Sequence, residues 1–150
     1  MEELGVSITQ VNTLRRGDLV LHNKRPCKIS DDITKSKTGK HGSAKAHIQV
    51  TDIFTDQKSI FIMSTSDNME IPLVKKGLYQ VIDLTDDNFL SLLDDKNETK
   101  NDVKLVDINK EKEVNLKNKI TSLLQQSNVT ILVNIIEYGN ETRVIDCKIE

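Results

Sequence analysis

The 150-residue sequence contains no Trp, two Tyr and three Phe. It therefore has few rings that could stack on the bases of single-stranded nucleic acid. Two lone cysteines, Cys27 and Cys147, exclude a disulfide framework and are typical of a reducing compartment. No apolar run approaches the roughly 18 residues of a membrane-spanning helix, and residues 1–5 lack the features of a secretory signal. We therefore expect a cytoplasmic protein with no membrane partner, whose cysteines are buried packing residues.

Sequence motifs for catalysis and metal binding are also missing. The histidines, His22, His41 and His47, have neither a zinc-protease spacing nor paired cysteines beside them. No nucleophile elbow or complete phosphate loop occurs, and adjacent aspartates lie in turn contexts. We expect no enzyme, no catalytic residue, no metal site and no bound cofactor.

Aliphatic residues supply most of the apolar content. The chain has 16 Ile, 15 Leu and 12 Val against 2 Ala, and with its 12 Thr it has 40 β-branched residues. Such side chains favour strands, whereas a helical bundle would use Ala and straight-chain residues. The composition predicts an all-β fold.

Turn signals divide the chain into two blocks of short strands. Residues 1–14 carry little pattern, and we expect a flexible lead-in there. Residues 15–77 read as one small barrel or sandwich, and residues 78–150 as a second domain. The second block has one amphipathic helix, roughly over 111–126, with the apolar stripe Leu116, Ile120, Leu123 and Leu124. Strands with one helix before the last two are typical of an oligonucleotide/oligosaccharide-binding (OB) barrel.

One segment of the first block is strongly basic. Residues 24–47 contain seven Lys or Arg against two Asp, a net charge of +5 in a chain whose total is −2. Residues 34–43 have no large apolar side chain and carry two glycines, so they predict a long hairpin with an exposed tip. Lys40 stands between Gly39 and Gly42, while Lys35, Lys37 and Lys45 could contact phosphates. The residues alone leave a basic nucleic-acid hairpin and an uninvolved solvated turn equally open.

The loop and its flanks contain a dense sequence motif. The loop reads Ser36-Lys37-Thr38-Gly39-Lys40-His41-Gly42-Ser43-Ala44-Lys45-Ala46-His47. This segment strongly resembles the modification loop of eukaryotic and archaeal translation initiation factor 5A. Further landmarks of that family lie at 25–29, 52–55, 68–72 and 90–93. The resemblance implies an N-terminal SH3-like barrel, which carries the loop 34–43, and a C-terminal OB barrel.

The resemblance also implies a function centred on Lys40. In the family this lysine becomes hypusine: deoxyhypusine synthase transfers an aminobutyl group from spermidine, and deoxyhypusine hydroxylase completes the residue. The modified factor binds the ribosome beside the acceptor end of peptidyl-tRNA. There it promotes peptide-bond formation at stalling sequences such as proline runs, and also termination.

Other loop residues have supporting roles under this resemblance. The residues expected to support modification or RNA contact are Lys37, Thr38, Gly39, His41, Gly42 and Lys45. Ser43 stands where many eukaryotic members have His, which leaves the hydroxylase step open. The sequence also leaves a homodimer open.

Two alternative functions compete with this one. The chain could be an RNA-binding module that is never modified, or a self-assembling structural relative of the family that lacks the modified lysine. The presence of Lys40 within its two glycines counts against the structural relative.

Overall fold

The computed structural model describes residues 6–37, 44–105 and 111–150. The chain packs as two units, Met1–Val74 and Lys75–Glu150. Strands make up most of both units, and one α-helix lies in the second. This confirms the predicted all-β class with two small domains. No helix in the described residues is long and apolar enough to cross a membrane.

The first unit is built around the nine-residue strand β5. Strand β5 pairs antiparallel with β6 along most of its length, with β4 at its beginning and with β3 at its end. Strand β2 extends the sheet beyond β3, and β1 and β7 form a separate two-stranded ribbon. The strands of this unit are β1 (Val6–Gln10), β2 (Leu19–His22), β3 (Arg25–Ile29), β4 (Thr34–Lys37), β5 (Ala44–Asp52), β6 (Lys58–Ser64) and β7 (Asn68–Pro72).

Strict alternation along β5 produces the core of this unit. Ala46, Ile48 and Val50 are buried, while the residues between them face outward. Val20, Ile29 and Met69 from other strands belong to the same apolar cluster.

The predicted flexible lead-in differs from the structure over residues 6–14. Residues Val6–Gln10 form β1 and pair with β7, and a short 3₁₀ turn follows at Val11–Thr13. Val11 is fully buried and Leu14 is 7% exposed. The sequence showed too few apolar positions here for a period to be visible, yet these two side chains belong to the buried apolar cluster of this unit.

The second unit is a five-stranded sheet with the order β10-β9-β8-β11-β12, together with α1. Bulges interrupt the register between β8 and β9, between β9 and β10 and between β11 and β12, as the curvature of a small barrel requires. Its elements are β8 (Lys75–Leu84), β9 (Phe89–Leu93), β10 (Thr99–Lys104), α1 (Glu111–Leu124), β11 (Ile131–Tyr138) and β12 (Glu141–Ile149).

Helix α1 covers the core of the second unit. Ile120 is fully buried, and Leu116, Leu123 and Leu124 pack against the same cluster, which confirms the stripe predicted from sequence. Two polar contacts fix the helix to β12. Lys119 Nζ donates to the carbonyl oxygen of Cys147 at 2.6 Å, and Arg143 Nε lies 3.2 Å from Glu113 Oε1.

Replacing the central helix residue tests this packing. Ile120→Ala should lower the free energy of unfolding of the second unit by about 2–5 kcal/mol, because it leaves a cavity in the core. Both tyrosines, Tyr79 and Tyr138, lie in this unit, so tyrosine fluorescence in a denaturant titration reports on it. The matched control is Ile149→Ala, at a side chain that is 55% exposed. Equal losses in the two variants would contradict the described core.

Candidate modification and RNA-binding site

The candidate site is carried by the hairpin of β4 and β5. The register pairs Thr34 with His47, Ser36 with Lys45 and Lys37 with Ala44. The pairing brings the two ends of the loop together at Lys37 and Ala44. Residues 38–43 lie outside the described residues, and they include the predicted site residues Thr38, Gly39, Lys40, His41 and Gly42.

The described lysines of the site are accessible to a partner. Lys35 and Lys37 lie on β4, all of whose residues are exposed. Lys45 is exposed on β5, between the half-buried Ala44 and the buried Ala46. The structure therefore brings Lys37 and Lys45, two of the predicted supporting residues, to the base of the same loop. Their exposure suits contact with phosphates as point charges.

A polar contact joins the two strands next to the loop. The hydroxyl of Ser36 and Nε2 of His47 share a hydrogen bond of 3.1 Å. His47 lies on the outward face of β5, as its place in the alternation predicted. The contact adds a side-chain link to the backbone ladder at the end of the hairpin that carries Lys40.

An ion pair anchors the opposite end of β5. Arg25 Nε donates to Asp52 Oδ2 at 2.8 Å, and its Nη2 donates to Oδ1 at 3.2 Å. The Asp52 side chain is only 9% exposed. Its Oδ1 also accepts the backbone N–H groups of Phe54 at 2.8 Å and Thr55 at 3.1 Å. One carboxylate thus holds β3 against β5 and shapes the turn that leads to β6.

The electrostatics of Asp52 follow from these contacts. Burial by itself raises the pKa of the Asp52 carboxyl. The hydrogen bonds from Arg25, Phe54 and Thr55 and the charge of Arg25 outweigh that effect, so the pKa lies below its ordinary value of 3.8. Asp52 is therefore held as a carboxylate.

The two cysteines have a structural role. Both are free and buried. Burial raises the pKa of Cys27, and the nearby charge of Asp52 adds to the rise. Burial likewise raises the pKa of Cys147. A thiol with a raised pKa is a poor nucleophile, so both cysteines fit the predicted packing role.

The partnership of Arg25 and Asp52 was not predicted from the sequence. Arg25 lies in the basic segment 24–47 and in the family landmark 25–29, and neither feature indicates its partner. The sequence does contain a signal for Asp52: the alternation of β5 continues from Ala46, Ile48 and Val50 to an inward position at residue 52. An inward carboxylate requires a cationic or N–H partner. Locating Arg25 as that partner needed the register between β3 and β5.

Two protein-family models match the chain. The model described as translation initiation factor 5A-like, N-terminal, covers residues 6–67. The model described as eukaryotic elongation factor 5A hypusine, DNA-binding OB fold, covers residues 73–148. The chain belongs to the translation initiation factor 5A family. The first matched range lies within the first unit, and the second range, apart from residues 73 and 74, lies within the second unit. Both descriptions name translation factors.

Curated proteins of this family are similar in sequence. Eukaryotic translation initiation factor 5A-1 of Saccharomyces cerevisiae is 47% identical over 95 residues, which are 63% of this chain and 59% of that protein. Factor 5A-2 of Arabidopsis thaliana is 43% identical over 106 residues, 69% of this chain and 66% of that protein. The chain thus aligns with less than two thirds of the length of these relatives.

Solved structures of the family match over nearly the whole chain. A translation initiation factor 5A family protein from Naegleria fowleri has a TM-score of 0.83 and 33% identity, covering 95% of this chain and 98% of that one. The factor 5A structure from Methanococcus jannaschii has a TM-score of 0.71 and 25% identity, covering 96% of each chain. Both solved structures thus share the fold of this chain, and both are named as members of the same family.

The pH dependence of stability tests the Arg25–Asp52 anchor. The pKa of Asp52 is lower in the folded state than its ordinary value of 3.8. The contribution of the carboxylate to the free energy of unfolding is therefore complete above pH 3.8 and is lost as the pH falls through the lower folded-state pKa. Asp52→Asn should reduce the free energy of unfolding by about 1–3 kcal/mol near neutral pH. The difference from the wild type should shrink below pH 3.8. Denaturant titrations at several pH values measure it.

The exposed Asp32 supplies the control for this measurement. Asp32→Asn should change the free energy of unfolding by no more than about 0.5 kcal/mol at any of these pH values. A constant difference between Asp52→Asn and the wild type, down to the lowest pH, would contradict the assigned role of the carboxylate.

Proposed function

We propose that this chain is a hypusine-modified translation factor in which Lys40 is the modified residue. The observation that carries the proposal is the match of its second unit to the hypusine-bearing factor 5A family model. The same chain has Lys40 between the paired residues Lys37 and Ala44. Deoxyhypusine synthase transfers the aminobutyl group of spermidine to Nζ of Lys40: the C–N bond to the secondary amine of spermidine breaks, a new C–N bond forms to Nζ, and 1,3-diaminopropane leaves. NAD accepts a hydride and returns it within the reaction, so no net oxidation occurs. Deoxyhypusine hydroxylase then completes the residue.

The described geometry supports the presentation of a single lysine. Lys40 is the third residue after Lys37 and the fourth before Ala44. Only a short segment therefore connects it to the paired end of the hairpin. The flanking Lys37 and Lys45 are exposed. A longer side chain with a second amine would extend the reach of the positive charge without adding a bulky group.

In this proposal the protein acts by positioning and the ribosome supplies the chemistry. The modified arm lies against the acceptor end of peptidyl-tRNA and holds it in a reactive orientation, which can lower a barrier by several kcal/mol without any catalytic group of its own. The exposed lysines of the hairpin contact RNA phosphates, which favours backbone-directed binding of structured RNA. The factor thereby promotes peptide-bond formation at proline runs and termination, in the cytoplasm.

Replacing the acceptor amine tests the proposal. Lys40→Arg keeps one positive charge but removes the primary amine that the modification needs. The variant should take up no aminobutyl group and should lose stimulation of proline-rich synthesis in a reconstituted translation assay. Its circular dichroism and unfolding midpoint should match those of the wild type. Full activity of Lys40→Arg on proline-rich messages would overturn the proposed function.

The unmodified RNA-binding module remains the second candidate, because Lys35, Lys37 and Lys45 are exposed together at the hairpin base. Under that function, ribosome binding should survive Lys40→Ala. It should collapse in the triple variant Lys35→Gln/Lys37→Gln/Lys45→Gln, with a salt dependence that falls by about one unit of slope per lost phosphate contact.

A second triple variant separates local contacts from total charge. Lys96→Gln/Lys112→Gln/Lys148→Gln removes the same charge from three exposed lysines of the second unit. Under the proposed function, Lys40→Ala itself weakens ribosome binding. If Lys40→Ala binds the ribosome as tightly as the modified wild type does, the second candidate is favoured.

A further inference from the structure

The outer face of the sheet beside the loop contains an exposed aliphatic pair. Ile60 is 72% exposed and Ile62 is 58% exposed, and both lie on β6. The register places Ile60 opposite Gln49 and Ile62 opposite His47 on β5. Because directly opposed residues of an antiparallel pair share a face, the two isoleucines and the outward residues of β5 form one surface. We call it the β5–β6 face.

The charged residues of the β5–β6 face are all basic. Lys45 lies at one end of β5, opposite Ser64, and Lys58 lies at the other end, opposite Thr51. Lys28 of β3 is also paired with Thr51. Of the acidic residues nearest in sequence, Asp52 lies at an inward position of β5, and Asp56 and Asp67 lie in the turns before and after β6. The Asp67 carboxylate accepts the backbone N–H of Ser64 at 3.1 Å. The pattern is an aliphatic centre with a basic rim.

An aliphatic centre of this kind favours a protein partner over RNA. Burying the exposed aliphatic surface is worth about 25 cal/mol per Å² only if the partner is also apolar. Contacts with nucleic acid go mostly to phosphate and sugar, which cannot replace that burial. Protein interfaces combine an apolar centre with a polar rim. The complementary partner is therefore a protein surface with apolar side chains surrounded by carboxylates.

The distance from the loop identifies the kind of protein. Lys40 is three residues beyond Lys37, so covalent geometry limits the separation of their Cα atoms to about 11 Å. Ile62 lies opposite His47, which is three residues, or about 10 Å, along β5 from the loop end at Ala44. A protein interface of about 800 Å² per partner has a radius of about 16 Å. An enzyme that binds the base of the loop with an interface of this size would therefore also contact Ile62.

We propose that the β5–β6 face, centred on Ile60 and Ile62, is a docking surface for the enzyme that modifies Lys40. The enzyme would present an apolar patch edged with carboxylates. The inference rests on the proposed function, since it requires that Lys40 be modified. It assigns a recognition role to side chains outside the loop.

Steady-state aminobutyl transfer tests the docking surface. The assay contains purified deoxyhypusine synthase from the same organism, spermidine, NAD and this chain as the varied substrate. Ile60→Thr/Ile62→Thr keeps β-branched residues that suit a strand but removes aliphatic surface. We expect its KM to rise about tenfold, which corresponds to a loss of about 1.4 kcal/mol of apolar contact, with kcat unchanged within about twofold because Lys40 itself is intact.

The matched control is Ile8→Thr/Ile149→Thr, because Ile8 is 68% exposed and Ile149 is 55% exposed, and neither residue belongs to β5 or β6. Its KM should equal that of the wild type. Circular dichroism and unfolding midpoints establish that both double variants are folded. Ribosome binding of fully modified protein should be the same for the wild type and for Ile60→Thr/Ile62→Thr.

Two results would overturn the inference while leaving the proposed function intact. One is that both KM and ribosome binding are unchanged in the β6 variant. The other is an unchanged KM together with weaker ribosome binding, which would assign the face to the ribosome. Absence of transfer to the wild-type chain would overturn both the docking surface and the proposed function. The two failures are therefore distinguishable.

Discussion

The first unit depends on the central position of β5. This strand pairs with β3, β4 and β6, and its inward side chains form the middle of the core. At its beginning, β5 and β4 bring together the two ends of the loop that contains Lys40. At its end, Asp52 accepts hydrogen bonds from Arg25 and from the turn before β6. The pairing of one strand thus relates the loop, the basic flank and the β5–β6 face to one another.

Local periodicity explains why much of the fold could be predicted. The alternation from Ala44 to Thr51 defines a half-buried strand, and the spacing of Leu116, Ile120, Leu123 and Leu124 defines a helix. Both patterns appear in the structure. Residues 6–14 were misassigned because their two buried side chains, Val11 and Leu14, show no period, and β1 is defined by its pairing with a strand about 60 residues later. Long-range pairing of this kind leaves little local trace.

The candidate site was predicted from a sequence motif, whereas the fold was predicted from periodicity. Lys40, Lys37 and Lys45 were found from a dense local motif and its resemblance to a family, and the family assignment is confirmed. The role of Lys40 stays a prediction. Contacts between distant segments, such as Arg25 with Asp52 and Arg143 with Glu113, were missed. The exposed Ile60 and Ile62 were also missed, because residues 60–63 form a continuous apolar run, which does not show which face of the strand is buried.

The account depends most directly on the chemical state of Lys40. Intact-protein and peptide mass spectrometry of the protein purified from its own cells measures that state. We predict an aminobutyl or hydroxylated aminobutyl addition confined to Lys40, and the observed mass also shows whether the hydroxylase acts despite Ser43. A Lys40 that is unmodified at full occupancy would contradict the account.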